Sequence, residues 1–146
     1  FQTGFDNGFG FAANFTYSDS ETDLESLTRT NLPLPGVSET SYNLIGFYEN
    51  DVIQARLAYT WRDEFLAPTN TTIGVGGLDL PLASWYRDYG QWDASFTYNF
   101  SDTLALSAEV INITGEQQER YLEWSDNFFT YDSQETRYIL GVNFRF

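Results

Sequence analysis

The sequence predicts an all-β chain: antiparallel, up-and-down, membrane-spanning strands that form a segment of a β-barrel. Three observations carry this reading. Apolar and polar residues alternate with period two over runs of about ten residues. The connections between runs alternate between tight turns and long acidic loops. Within four of the runs, every charge keeps to one face.

Six runs predict six strands, near residues 8–18, 41–49, 52–62, 90–100, 103–113 and 135–146. In the first, Phe9, Phe11, Ala13, Phe15 and Tyr17 alternate with small or polar residues. The second is less clean, because placing Tyr42, Leu44, Gly46 and Tyr48 on one face puts Ile45 and Phe47 on the other. In the third, Ile53, Ala55, Leu57, Tyr59 and Trp61 oppose Gln54, Arg56, Ala58, Thr60 and Arg62. The fourth sets Trp92, Ala94, Phe96, Tyr98 and Phe100 against Asp93, Ser95, Thr97 and Asn99. The fifth sets Leu104, Leu106, Ala108 and Val110 against Ala105, Ser107, Glu109 and Ile111, and the sixth sets Tyr138, Leu140, Val142, Phe144 and Phe146 against Arg137, Ile139, Gly141, Asn143 and Arg145. A strand needs about 9–11 residues to cross hydrocarbon at a tilt. Strands of soluble sandwiches average about 5–6. The lumen-side charges Arg56, Arg62, Asp93, Glu109 and Arg137 are expected to form ion pairs along the wall.

Glu49-Asn50-Asp51 and Ser101-Asp102 read as tight turns, whereas Asp19 to Thr40, Asp63 to Tyr89 and Gly115 to Gln134 read as long loops punctuated by Pro and Gly. Tyr17, Tyr59, Trp61, Tyr89 and Trp92 fall at the long-loop ends, and Tyr98, Phe100, Phe144 and Phe146 at the other. Two such belts are expected where a barrel meets the two headgroup layers.

Composition narrows the function classes. The 146 residues include 21 acidic residues against seven basic ones, all Arg, for a net charge of -14. That surface repels phosphate backbones, so no nucleic acid is expected as a partner. The chain lacks Cys and His, which removes thiolate chemistry and the commonest general base. With 42% hydrophobic residues it has no apolar run approaching the ~20 residues of a membrane helix. No nucleophile elbow or phosphate loop appears, so no enzyme, cofactor or metal site is expected.

The chain starts at Phe1 rather than Met, so it is mature, trimmed or a fragment. Six strands would leave two edges unpaired in lipid, where each unsatisfied backbone group costs several kcal/mol. Residues 1–146 are therefore expected to be the C-terminal part of one barrel domain, needing further strands or partner copies.

The last residues, Gly141-Val142-Asn143-Phe144-Arg145-Phe146, resemble the C-terminal assembly signal of outer-membrane proteins, carried by Gly141, Phe144 and Phe146, with Ile139 where a polar residue is usual. Leu34-Pro35-Gly36-Val37-Ser38, Ala55-Arg56-Leu57-Ala58-Tyr59 with Trp61-Arg62, Gly90-Gln91-Trp92-Asp93-Ala94-Ser95 and Ala108-Glu109-Val110-Ile111-Asn112-Ile113-Thr114 together resemble the last strands of TonB-dependent receptors. The resemblance implies a 22-stranded barrel in the bacterial outer membrane, a plug domain in the preceding part of the protein, and assembly by the barrel-assembly machinery. It also implies import of a scarce ligand (an iron chelate, cobalamin or an oligosaccharide) with energy passed on by TonB. Two other readings remain open: the end of a porin or autotransporter barrel, and a soluble β-sandwich adhesin or sugar-binding module.

Candidate ligand contacts lie in the loops. Trp85, Tyr86 and Arg87 offer ring faces and a guanidinium, with Arg87 paired to Asp88 or a neighbour as the plainer alternative. Tyr121, Trp124 and Phe129, with Phe128 and Tyr131, supply more rings than solubility needs, for ligand contact or for loop packing. Asp19, Glu21, Asp23 and Glu25 lack the spacing of a calcium loop and read as solvated. Of four glycosylation-like triplets, those at Asn14, Asn99 and Asn112 fall in or at strands and are discounted, leaving the one at Asn70.

Overall fold

Each of the six alternating runs forms a strand in the computed structural model, which describes residues 1–68 and 71–145. Thirteen strands are present among the described residues. The wall is built from β1 (Gln2–Gly4), β2 (Phe9–Tyr17), β3 (Thr40–Glu49), β4 (Ile53–Arg62), β9 (Tyr89–Ser101), β10 (Leu104–Ile111) and β13 (Arg137–Phe144), hydrogen-bonded in that order and antiparallel throughout. The intervening strands β5 (Phe65–Leu66), β6 (Thr71–Val75), β7 (Leu78–Leu82), β8 (Ser84–Tyr86), β11 (Gln118–Leu122) and β12 (Phe128–Asp132) belong to the long connections. The sequence predicts these connections as long loops; in the structure two of the three carry strands of their own. Their strands are two to five residues long, too short for period-two patterning to stand out among turn residues. The wall also has seven strands rather than six, because three-residue β1 is too short to show alternation.

The register aligns the apolar face from strand to strand. Gly46 lies opposite Leu57, Leu57 opposite Ala94, Ala94 opposite Val110 and Val110 opposite Tyr138. One continuous apolar surface results, and it is bare: Leu140 is 85% exposed. A sheet in water would cover such a surface; a barrel wall turns it to lipid. Its two rims are aromatic. At the long-connection end Tyr42 stacks on Trp61 at 5.1 Å and Tyr59 meets Trp92 at 4.7 Å. At the short-turn end Phe9 meets Tyr48 at 4.8 Å and Tyr98 meets Phe100 at 4.6 Å. Tyr89 is a correction. It pairs with Arg62 on the polar face, where the guanidinium lies over its ring and its hydroxyl donates to Gln91.

The opposite face carries the polar rows. Arg56 lies between Phe47 and Ser95, and Glu109 between Ser95 and Ile139. Phe47 falls on this face, as the uneven second run implied. Its ring lies across Gly10, where a Cβ would collide with it. Among the described residues the expected ion pairs along the wall do not form. Among the described residues the one carboxylate–guanidinium contact is Arg87 with Glu119 at 3.1 Å, outside the wall. Asp93 instead accepts from the Gln91 side chain and from the Asn112 backbone N–H, and Arg62 donates to Gln118. Single charges on a water-facing wall gain little from pairing.

Short connections (residues 5–8, 50–52 and 102–103) sit at one end of the wall and long ones (18–39, 63–88 and 112–136) at the other. The sheet is open: no pairing joins β1 to β13 among the described residues.

Candidate functional site

The three long connections fold together into a cap with its own core. Phe65-Leu66-Ala67 and Leu82-Ala83 are apolar islands in polar loops, and they bury because both sides of their short strands meet protein. Leu32, Leu66, Ala83, Trp85 and Tyr121 form the core, with Leu66 and Ala83 fully buried. β12, β11, β8 and β5 form a four-stranded sheet beside it, and β6 and β7 form a separate hairpin. Backbone bonds cross between connections: Leu27 N to Pro81 O, Gly36 N to Leu66 O, Arg87 N to Glu119 O and Glu123 N to Ala83 O.

Glu123 is the residue that fastens all three. It is 0% exposed, and among the described residues it makes no ion pair. One carboxylate oxygen accepts from Ser26 Oγ at 2.7 Å, Thr28 N at 2.8 Å and Thr28 Oγ1 at 2.5 Å. The other accepts from Ala83 N at 2.8 Å. Burial alone would push this carboxyl up. The bonds from Thr28, Ala83 and Ser26 more than offset that and hold it below the usual glutamate range. Its backbone also adopts a positive φ of 58°, unusual for a non-glycine residue.

Arginines are stacked rather than free. Arg29 lies 5.1 Å from the Trp85 ring centre, Arg87 5.3 Å from Tyr121, and Arg120 4.7 Å from Tyr86 and 5.6 Å from Phe129. At their partly exposed positions contacts of this kind contribute roughly 0.5–1 kcal/mol each.

The sequence-derived candidates divide along this core. Trp85 (6% exposed) and Tyr121 (2%) are internal, with stacked rings 6.4 Å apart. The Tyr121 hydroxyl donates to Glu64 at 2.8 Å; burial and that bond push its phenol well above the ordinary tyrosine range. Tyr86 is half-buried against Phe65, and Arg87 bonds Glu119 and the Ser125 carbonyl, not Asp88. Trp124 and Phe129 are exposed, as are Phe128 and Tyr131. Of the assembly-signal residues, Gly141 faces inward, where a Cβ would strike Ser107 Oγ, and Phe144 pairs with Leu104 in the outer apolar row. Phe146 and Asn70 lie outside the described residues. Asn112 is buried, its amide spent on Glu116 and Gln134, which closes the base of the third connection. Among the described residues no three acidic side chains converge to hold a metal ion.

Sequence reasoning missed Glu123 as a fastener and Arg29 and Arg120 as stacking partners. Those roles depend on contacts between separate connections, 95 positions apart for Thr28 and Glu123, which periodicity does not register. The apolar islands at Leu66 and Leu82-Ala83 were the available signal.

A lipid-facing antiparallel wall with aromatic rims, short turns at one end and a folded cap at the other defines a β-barrel of the outer-membrane type. The sequence model of the family described as "TonB dependent receptor-like, beta-barrel" matches residues 1–113. The chain belongs to that family. No curated protein and no solved structure matches it.

Proposed function

We propose that this chain is a wall-and-mouth sector of an outer-membrane receptor that captures a scarce ligand and imports it with energy relayed by TonB. The cap carries the reading: three connections at one end of the wall share a core instead of lying as separate loops, which suits a surface that holds a ligand. The wall's free edges at β1 and β13 call for further strands of the same barrel, which lipid requires. The polar inner face would line the lumen against a plug domain, and residues 1–146 would form the C-terminal part of that barrel. Gly141, Phe144 and Phe146 would present the last strand to the assembly machinery. Ligand contact falls to Tyr86, Arg87, Trp124 and Phe129, while Trp85 and Tyr121 support them from beneath. The ligand classes are an iron chelate, cobalamin or an oligosaccharide, and no catalytic step is assigned.

The test is uptake. Cells expressing the full-length receptor are fractionated, then supplied with each ligand class at growth-limiting concentration, with TonB present and absent. Outer-membrane location and TonB-dependent uptake of one class are expected. Passive permeation that ignores TonB would favour a porin, and a passenger domain encoded upstream would favour an autotransporter.

A further inference from the structure

The cap sheet repeats the order of the wall beneath it. In the wall β4 pairs with β9, β9 with β10 and β10 with β13; in the cap β5 pairs with β8, β8 with β11 and β11 with β12. Each cap strand belongs to one wall strand: β5 follows β4, β8 leads into β9, β11 follows β10 and β12 leads into β13. The β8–β11 ladder joins two separate connections, with Arg120 opposite Tyr86 and Leu122 opposite Ser84. Backbone pairing between neighbouring connections is thus how this mouth is built.

The two edges of the cap sheet differ. At β5 the neighbouring connection is in place, since Gly36 N donates to Leu66 O. At β12 nothing corresponds: among the described residues it pairs with β11 alone. Phe128-Phe129-Thr130-Tyr131 holds no charge and no Pro, the residues that commonly keep an exposed edge from pairing, although a bulge interrupts its ladder with β11. The edge is also apolar on both sides of the ladder. Phe128 and Tyr131 share one face, with ring centres 6.2 Å apart. Phe129 lies on the other, where Arg120 sits 5.6 Å from its ring. All three rings are exposed.

The wall shows the same asymmetry. Among the described residues β13 pairs with β10 alone, and lipid requires a further strand beside it. In an antiparallel wall that strand runs toward the long-connection end, so its own outer connection emerges next to β12.

We infer that the outer connection of the wall strand pairing with β13 adds a fifth strand to the cap sheet, hydrogen-bonded along the free edge of β12. The incoming segment is extended, apolar where it passes Phe128 and Tyr131, and basic where it meets exposed Asp126 and Asp132. The inference rests on the barrel reading above and is independent of the ligand.

Residues 1–146 contain no Cys, so paired cysteines can report both levels in a full-length receptor otherwise free of Cys, oxidised within outer membranes. In one scan Ile139→Cys in β13 faces a cysteine moved along the candidate wall strand. In the other Thr130→Cys in β12 faces a cysteine moved along that strand's outer connection. Disulfides form where Cα atoms come within about 4.4–6.8 Å. Both scans should give intramolecular disulfides in receptors that keep heat-resistant migration, with yields alternating from one position to the next as the sides of a strand alternate. Amides of β12 should exchange at least about tenfold more slowly than those of residues 72–79 in the β6–β7 hairpin, where no third strand pairs. Ile139 disulfides without Thr130 disulfides, uniform Thr130 yields along the connection, or β12 exchange as fast as that of the hairpin overturns the inference and leaves the barrel standing. Thr130 disulfides between two receptor molecules overturn it in favour of a second copy. Failure of Ile139 along every candidate strand removes the barrel reading, and the inference falls with it.

Discussion

The wall and the cap use the same short-range β pattern in opposite senses. In the wall, apolar side chains point outward and stay bare, as with Leu57 and Leu140, while the inner face carries Arg56, Asp93 and Glu109. In the cap, Leu66, Ala83 and Tyr121 point inward and arginines close over the rings. One region is shaped by hydrocarbon and the other by water. The wall holds together by long ladders between strands, whereas the cap depends on a small core and one hydrogen-bonded carboxylate. Damage should therefore stay within the region where it is made.

The strongest break in that comparison is Leu66→Ala. Emptying a fully buried leucine site costs about 2–5 kcal/mol. The loss should appear as faster proteolysis of the long connections, with heat-resistant migration of the barrel unchanged. If the barrel melts with it, the two regions are one folding unit. Leu57→Arg attacks the other side. An arginine near mid-wall on the lipid face costs roughly 2–4 kcal/mol, while Thr97→Arg on the polar face should cost far less. Folding from denaturant into bilayers measures both, and equal penalties would reverse the inside–outside assignment.

Most of the wall was legible because lipid enforces a repeating rule. Every second residue from Ile53 to Trp61 and from Trp92 to Phe100 obeys it, and the observed register keeps each on one surface. Tyr89 broke ranks because it stands one residue past a rim, where an aromatic serves equally well beneath Arg62. The cap was not legible. Its aromatic content was visible, but which rings became internal was decided by Leu32 and Leu66, which come from separate connections. Trp85 and Trp124 look alike in sequence and differ only in what folds over them.

Smaller perturbations sharpen the contrast. Glu123→Ala leaves the donors of Ser26, Thr28 and Ala83 without an acceptor, at about 1–3 kcal/mol. Hydrogen exchange should rise in residues 26–28 and 83 together and stay unchanged in the wall. Smallest is the effect of pH. Because the Glu123 carboxyl sits below its ordinary value in the folded cap, its stabilisation is in place above about pH 4.3 and fades as pH falls through that lower value. Tyr121 works at the other extreme: its contribution holds below about pH 10 and declines as pH climbs toward its raised value. Loop proteolysis across both ranges should show two shoulders, and Glu123→Gln should erase the acidic one.

The tip of the β6–β7 hairpin stands apart from these constraints, although its base is tied to the cap through Pro81 and buried Leu82. The hairpin forms a two-stranded unit of its own, with Ile73, Val75 and Leu78 exposed around the Gly76-Gly77 turn. Its tip can lengthen, shorten or change chemistry without disturbing Glu123 or the shared core. A receptor lineage adapting to a new environment would have in residues 72–79 a place to vary its outermost contour while the rest of the mouth keeps its shape.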